Sequence, residues 1–133
     1  MKINAAIENS KHVHSVVVET DGNTKTLQIA SKADGYGSAV NGGELLFLSL
    51  ATCVCNDIYR EAKKRAMLIQ QVHVKVQGEF GKEGEPGRNI TYSVRVESEQ
   101  HTKEEIDALI RYVDEIAEIH ATLRGGAKVV LAQ

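Results

Sequence analysis

The sequence NGGELLFLSLATCVCNDIYREAKKRAM, residues 41–67, predicts the central element of the fold. Asn41 and Glu44 form a capping-box pattern, in which each side chain can bond to the backbone of the other, so the pattern predicts a helix start. Residues 45–55 are almost all apolar or small, and a helix that is apolar on every side is typical of a buried core. The stretch ends in three cations, which suit a helix C-terminus. We therefore expect a buried helix here.

The segments before this helix predict a hairpin and a loop. Residues 12–20 and 24–30 are rich in β-branched side chains and flank Asp21-Gly22, a strong hairpin signal. Residues 31–43 contain four glycines, and such clusters usually mark turns. This loop is either a plain connector or the rim of a pocket with Tyr36 as part of its wall.

The segments after the helix predict two strands, a second helix and a last strand. Residues 69–80 and 90–96 alternate apolar with polar side chains, which predicts two half-buried strands paired antiparallel. Thr102 and Glu105 form a second capping box, and apolar residues at helical spacing follow it as far as His120. Residues 127–132 resemble a final strand. The predicted class is α+β.

Composition excludes several classes of protein. A chain of 133 residues predicts one domain, and a net charge of −2 provides no basic surface for nucleic acid. No apolar run reaches membrane-spanning length, and the N-terminal residues do not resemble a signal peptide. Cys53 and Cys55 would point about 200° apart on a helix, so we expect two free thiols and a reducing cytoplasm as the setting.

The central helix resembles the signature helix of the OsmC/Ohr family, which contains hydroperoxide-reducing thiol proteins and relatives. In that family a Pro-Glu-Glu-Leu-Leu-like run leads to an Ala-x-Cys; here residues 43–46, Gly-Glu-Leu-Leu, lead to residues 51–53, Ala-Thr-Cys. The resemblance implies that Cys53 is the reactive cysteine. It also implies twisted antiparallel sheets around the buried helix, a second helix, and an intertwined homodimer with sites at the interface.

The sequence departs from the family pattern in three ways. Ala117 stands where the resemblance places a second, resolving cysteine. Gly43 stands where the family has an acidic residue that helps to activate the thiol, although Glu44 is next to it. No arginine precedes Arg60, whereas the family's activating arginine comes from the N-terminal segment.

Two of the candidate site residues, Cys53 and His120, have two interpretations each. Cys53 is either a reactive thiol or a packed, inert one, the usual state of a free cysteine. His120 either lies near Cys53 and replaces the missing arginine, or is a partly buried helix-end residue. Asn56 and Asp57 share the helix face of Cys53, and Asp57 would raise the pKa of the thiol. The histidines and cysteines lack metal-ligand spacing, so neither a metal nor a cofactor is expected.

Two functions remain open. The first is a thiol peroxidase in which Cys53 reduces an organic hydroperoxide and an external thiol restores it. The alternative is a non-peroxidase relative that binds a small hydrophobic ligand in the dimer-interface pocket. Neither nucleic acid nor membrane is an expected partner.

Overall fold

The computed structural model describes residues 1–132. The chain forms two compact units, one ending at Leu45 and the other beginning at Leu46. The elements in chain order are β1 (Ile3–Ser10), β2 (Val13–Thr20), β3 (Asn23–Leu27), α1 (Gly42–Lys64), β4 (Gln71–Glu79), β5 (Arg88–Glu97), α2 (Lys103–Ile116) and α3 (Glu118–Arg124). Antiparallel strands and helices are combined, so the predicted α+β class is confirmed.

The first unit contains a three-stranded antiparallel sheet in the order β1-β2-β3. Val16, on the middle strand, lies opposite Ile7 of β1 and Leu27 of β3. Asp21 and Gly22 have φ values of 48° and 85°, the positive values that tight hairpin turns require. The predicted hairpin is therefore confirmed, whereas β1 was not predicted.

The second unit contains a core built by three elements, two helices and one strand. The core consists of Val54, Ile58 and Ala62 of α1, Val96 of β5, and Leu109 and Val113 of α2. β4 pairs with β5 antiparallel, and Val72 faces Val96 across the pair. The alternating pattern therefore predicted both strands and their pairing.

Helix α1 begins as the capping box predicted. The backbone N–H of Asn41 donates to Glu44 Oε1 at 3.0 Å, and that of Glu44 donates to Asn41 Oδ1 at 2.8 Å. Its fully buried residues are concentrated in its second half, whereas Leu48 is 58% exposed. One chain thus leaves part of the apolar stretch uncovered.

The second predicted helix is two helices. Thr102 and Glu105 form the predicted capping box at the start of α2. The prediction of one helix through His120 is wrong, because Ala117 is extended (φ −64°, ψ 111°) and separates α2 from α3. Apolar spacing does not reveal a single non-helical residue, and neither proline nor glycine stands at this position.

The prediction of a last strand over residues 127–132 is also wrong. These residues are irregular and exposed, and Val129 is 95% exposed. β-Branched residues form a strand only where a neighbouring strand pairs with them. No strand within residues 1–132 pairs with this segment. Within the same residues, no helix has the length and apolar character needed to cross a membrane.

Candidate functional site

Cys53 lies between two carboxylates. It is half-buried on α1, and its Sγ is 3.8 Å from Asp57 Oδ2 and 3.9 Å from Glu118 Oε2. Asp57 is one helical turn further along α1, and Glu118 is the first residue of α3. The helix break at Ala117 thus precedes a residue that brings a second carboxylate to the thiol.

These surroundings keep the thiol protonated. Burial raises the pKa of Cys53, and the charges of Asp57 and Glu118 raise it further. Hydrogen bonding from the backbone of Ile119 and Glu118 lowers the pKa, but not enough to reverse the shift. Because the thiolate is the nucleophilic form of cysteine, this environment does not activate Cys53 at neutral pH.

Arg60 serves Asp57. Its Nη1 lies 2.7 Å from Oδ1 of the buried Asp57 carboxylate. Burial nevertheless raises the pKa of Asp57, against the lowering effect of Arg60. The guanidinium therefore compensates a buried carboxylate, and it is not among the groups that shift the pKa of Cys53.

Three side chains converge closely enough to hold a metal ion. The ligand atoms of Cys53, Asp57 and Glu118 all lie within 4.8 Å of one another, the one such group within residues 1–132. Thiolate and carboxylate are both ligands that Zn²⁺ accepts. The group fits an ion only in part, because Asp57 already pairs with Arg60 and the thiol would have to lose its proton.

His120 is a buried side chain of α3. It is 4% exposed, and its ring meets that of Tyr92 edge-on, with centroids 4.7 Å apart. Both Nδ1 and Nε2 are buried and have no partner within residues 1–132. Burial, and then the charge of Arg124, lower the pKa of His120, with Asp114 and Asp57 opposing. The ring is neutral at neutral pH, which argues against the imidazolium role predicted for it.

His120 lines a pocket of about 230 Å³ in the second unit. We call this the His120 pocket; it is lined by Leu50, Val76, Ile90, Tyr92, His120, Leu123 and Arg124. Asp114, which does not line the pocket, contacts both Tyr92 and Arg124. The Tyr92 hydroxyl donates to Asp114, and Arg124 Nη2 lies 2.7 Å from Asp114 Oδ1. The pocket is thus mostly apolar, with an imidazole and a guanidinium in its wall.

The structure distributes the other predicted site residues over several places. Glu44 is engaged in the capping box of α1. Tyr36 is an exposed residue of the first unit, and its N–H donates to Asp34. Asn56 is exposed and lines a different pocket, together with Cys55. Ala117 is buried between α2 and α3.

Some residues around Cys53 and His120 were missed. Asp57 was foreseen, since a residue four positions after Cys53 shares its helix face. Glu118 could not be predicted from the sequence, because its approach to Cys53 depends on the helix break at Ala117. Tyr92 and Arg124 come from separate elements, and no local pattern links them to His120.

Comparison with known proteins identifies the family. The family model described as OsmC-like protein matches residues 35–132. An OsmC-like protein from Mycoplasma pneumoniae is 23% identical, with a TM-score of 0.63, covering 95% of this chain and 88% of that one. The organic hydroperoxide resistance protein OhrB of Bacillus subtilis is 15% identical, with a TM-score of 0.56 and coverage of 95% and 93%. No match is found among curated proteins. The solved structures share the fold, the family model covers well over half of the sequence, and the chain therefore belongs to the OsmC-like protein family.

Proposed function

We propose that this chain is a ligand-binding member of its family, which holds a small, mostly apolar molecule in the His120 pocket and does not reduce hydroperoxides. The observation that carries the proposal is the imidazole of His120 in the wall of an apolar pocket, whose two buried nitrogens have no hydrogen-bond partner among residues 1–132.

The unpartnered imidazole is explained by a ligand. A buried polar group without a hydrogen bond costs about 1–3 kcal/mol, so such groups in folded proteins are rare and need a reason. A polar atom of a bound molecule would supply the missing bond once the ring turns a nitrogen toward the pocket, since both nitrogens are buried in the ligand-free structure. Mostly apolar walls with a few converging polar groups are characteristic of small-molecule sites. The His120 pocket has this composition.

The surroundings of Cys53 argue against peroxide reduction. The reaction requires a thiolate, and the carboxylates of Asp57 and Glu118 oppose its formation. A sulfenic acid at Cys53 would also meet no second thiol from Ala117, so it would depend on an external reductant or oxidise further. Turnover is therefore disfavoured at both steps.

A titration with hexan-1-ol, followed by NMR, tests the proposal. We expect shifts in the resonances of pocket residues that saturate with a single affinity. Val76→Phe fills the pocket and should weaken binding at least about tenfold, which corresponds to a loss of about 1.4 kcal/mol. Val129→Phe makes the same change on an exposed residue and should leave the affinity unchanged. Equal binding by both variants, or none by the unaltered protein, would refute the proposal.

A thiol peroxidase is the second candidate. It is favoured by the hydrogen bonding from the backbone of Ile119 and Glu118 to Cys53, which lowers the pKa of the thiol. Two structural neighbours, from Bacillus subtilis and Elizabethkingia anophelis, are described as organic hydroperoxide resistance proteins. The assay is turnover of tert-butyl hydroperoxide with dithiothreitol. Rapid turnover that Cys53→Ser abolishes would replace the binding proposal with this one.

A further inference from the structure

The wall of the His120 pocket carries one full charge. Arg124 is the only Lys, Arg, Asp or Glu residue among the seven that line it, and the other lining residues are apolar, aromatic or the neutral His120. The carboxylate of Asp114 holds the guanidinium without lining the pocket itself. The charge that the lining presents to a ligand is therefore positive.

The guanidinium of Arg124 retains hydrogen-bonding capacity. Of its five N–H donors, Asp114 takes two: Nη2 donates to Oδ1 at 2.7 Å and Nη1 donates to the backbone oxygen at 3.2 Å. The Tyr92 hydroxyl also interacts with the guanidinium, which leaves at least two donors without a partner among residues 1–132. Because these contacts fix the guanidinium, Arg124 is positioned before any ligand arrives.

We propose that the ligand of the His120 pocket is a small monocarboxylate with an apolar body, an inference that rests on the binding function proposed above. Its carboxylate meets Arg124 beside the ring of His120, and its body packs against Leu50, Val76, Ile90 and Leu123. The planar guanidinium matches the two oxygens of a carboxylate, a pairing stronger than bonds between neutral groups.

The size of the pocket bounds the ligand. Its 230 Å³ equals the share of roughly eight water molecules in the liquid, at about 30 Å³ each. A monocarboxylate of about eight non-hydrogen atoms has a comparable bulk, and hexanoate is a suitable probe. Hexan-1-ol and hexylamine have the same chain with a neutral and a cationic end.

His120 supplies a second readout. The charged and polar groups around its ring are Asp57 on α1, Tyr92 on β5, Asp114 on α2 and Arg124 on α3. A bound carboxylate adds a negative charge to this set and partly offsets the guanidinium. Hexanoate should therefore raise the pKa of His120, as measured by NMR titration. With hexan-1-ol, which carries no charge, the pKa of His120 should stay below its value in the hexanoate-bound protein.

The test is an NMR titration of the full-length protein with the three probes. Hexanoate should bind most tightly and hexylamine least. Arg124→Gln should weaken hexanoate binding about tenfold or more, since hydrogen bonds to charged groups are worth that much, and should weaken hexan-1-ol binding less. Arg124→Lys, which keeps the charge, should retain part of the preference. Arg95→Gln removes an exposed arginine of β5 and serves as the control.

The outcomes separate the two proposals. If hexan-1-ol binds and hexanoate binds no better, or if Arg124→Gln has no effect on hexanoate, the monocarboxylate assignment is overturned and the binding function stands. If none of the probes binds in the His120 pocket, the binding function itself fails.

Discussion

At the scale of single residues, neighbouring charges and burial determine the protonation states of Cys53 and His120. Cys53 occupies the position of the reactive cysteine by resemblance, yet Asp57 and Glu118 make it a poor nucleophile. His120 was a candidate activator, yet burial beside Arg124 keeps it neutral. The sequence identified both residues and the direction of the effect of Asp57. It could not identify the partners that the fold brings from other elements.

His120→Phe should make the protein more stable. The variant keeps the edge-on ring contact with Tyr92 and removes two unpartnered nitrogens, so we expect a gain of about 1 kcal/mol in the free energy of unfolding at pH 7.5. The measurement is urea denaturation monitored by circular dichroism. The exposed His73 provides the matched control, and His73→Phe should bring no such gain.

The gain should widen in acid. The pKa of His120 is lower in the folded protein than in the unfolded chain, so its contribution to stability is present above the unfolded pKa and is lost as pH falls through the folded pKa. The variant lacks this loss. The difference in the free energy of unfolding between His120→Phe and the unaltered protein should grow from pH 7.5 to pH 5. A constant difference, or a variant less stable than the unaltered protein, would contradict the conclusion that His120 is neutral and has no hydrogen-bond partner among residues 1–132.

At the scale of elements, local patterns succeeded where the causes are local. The capping residues of α1 and α2 and the alternation in β4 and β5 depend on neighbouring side chains, and all were confirmed. β1, the break at Ala117 and the irregular residues 127–132 depend on distant packing or on a pairing partner. No short pattern encodes those interactions, and these elements were missed or predicted wrongly.

Ala117→Cys tests how α3 is placed against α1. Glu118, the next residue, lies close to Cys53, with Oε2 3.9 Å from Sγ, so Ala117 should lie within the roughly 7 Å between Cα atoms that a disulfide allows. A mild oxidant should link the introduced thiol to Cys53, as mass spectrometry of the unreduced protein would show. Ala121→Cys, an exposed position on α3, should not form the link. A folded Ala117→Cys variant that never links under strong oxidant would contradict the placement.

At the scale of the whole molecule, exposed apolar side chains predict self-association. In the first unit Ile7 is 56% exposed, and in the second unit Leu48 and Phe80 are exposed as well. A single chain leaves this surface in contact with water, which is unfavourable. The intertwined homodimer that family resemblance implies would cover such surface, and we retain it as a proposal.

Light scattering should therefore give the mass of a dimer at micromolar concentration. Ile7→Glu places a charge on an exposed apolar position of β1 and should shift the protein toward monomer. Ser10 lies on the same strand, points to the opposite face and pairs with Val13, so Ser10→Glu should leave the dimer intact. A monomer mass for the unaltered protein would refute the dimer.

The central claim is that this member of the OsmC-like family keeps its cysteine as a neutral thiol. The most direct test is the pH profile of Cys53 alkylation by iodoacetamide in a Cys55→Ser variant. The inflection should lie above the value of about 8.5 for a free cysteine, with slow labelling at pH 7. An inflection below about pH 7 would show an activated thiolate and contradict the account.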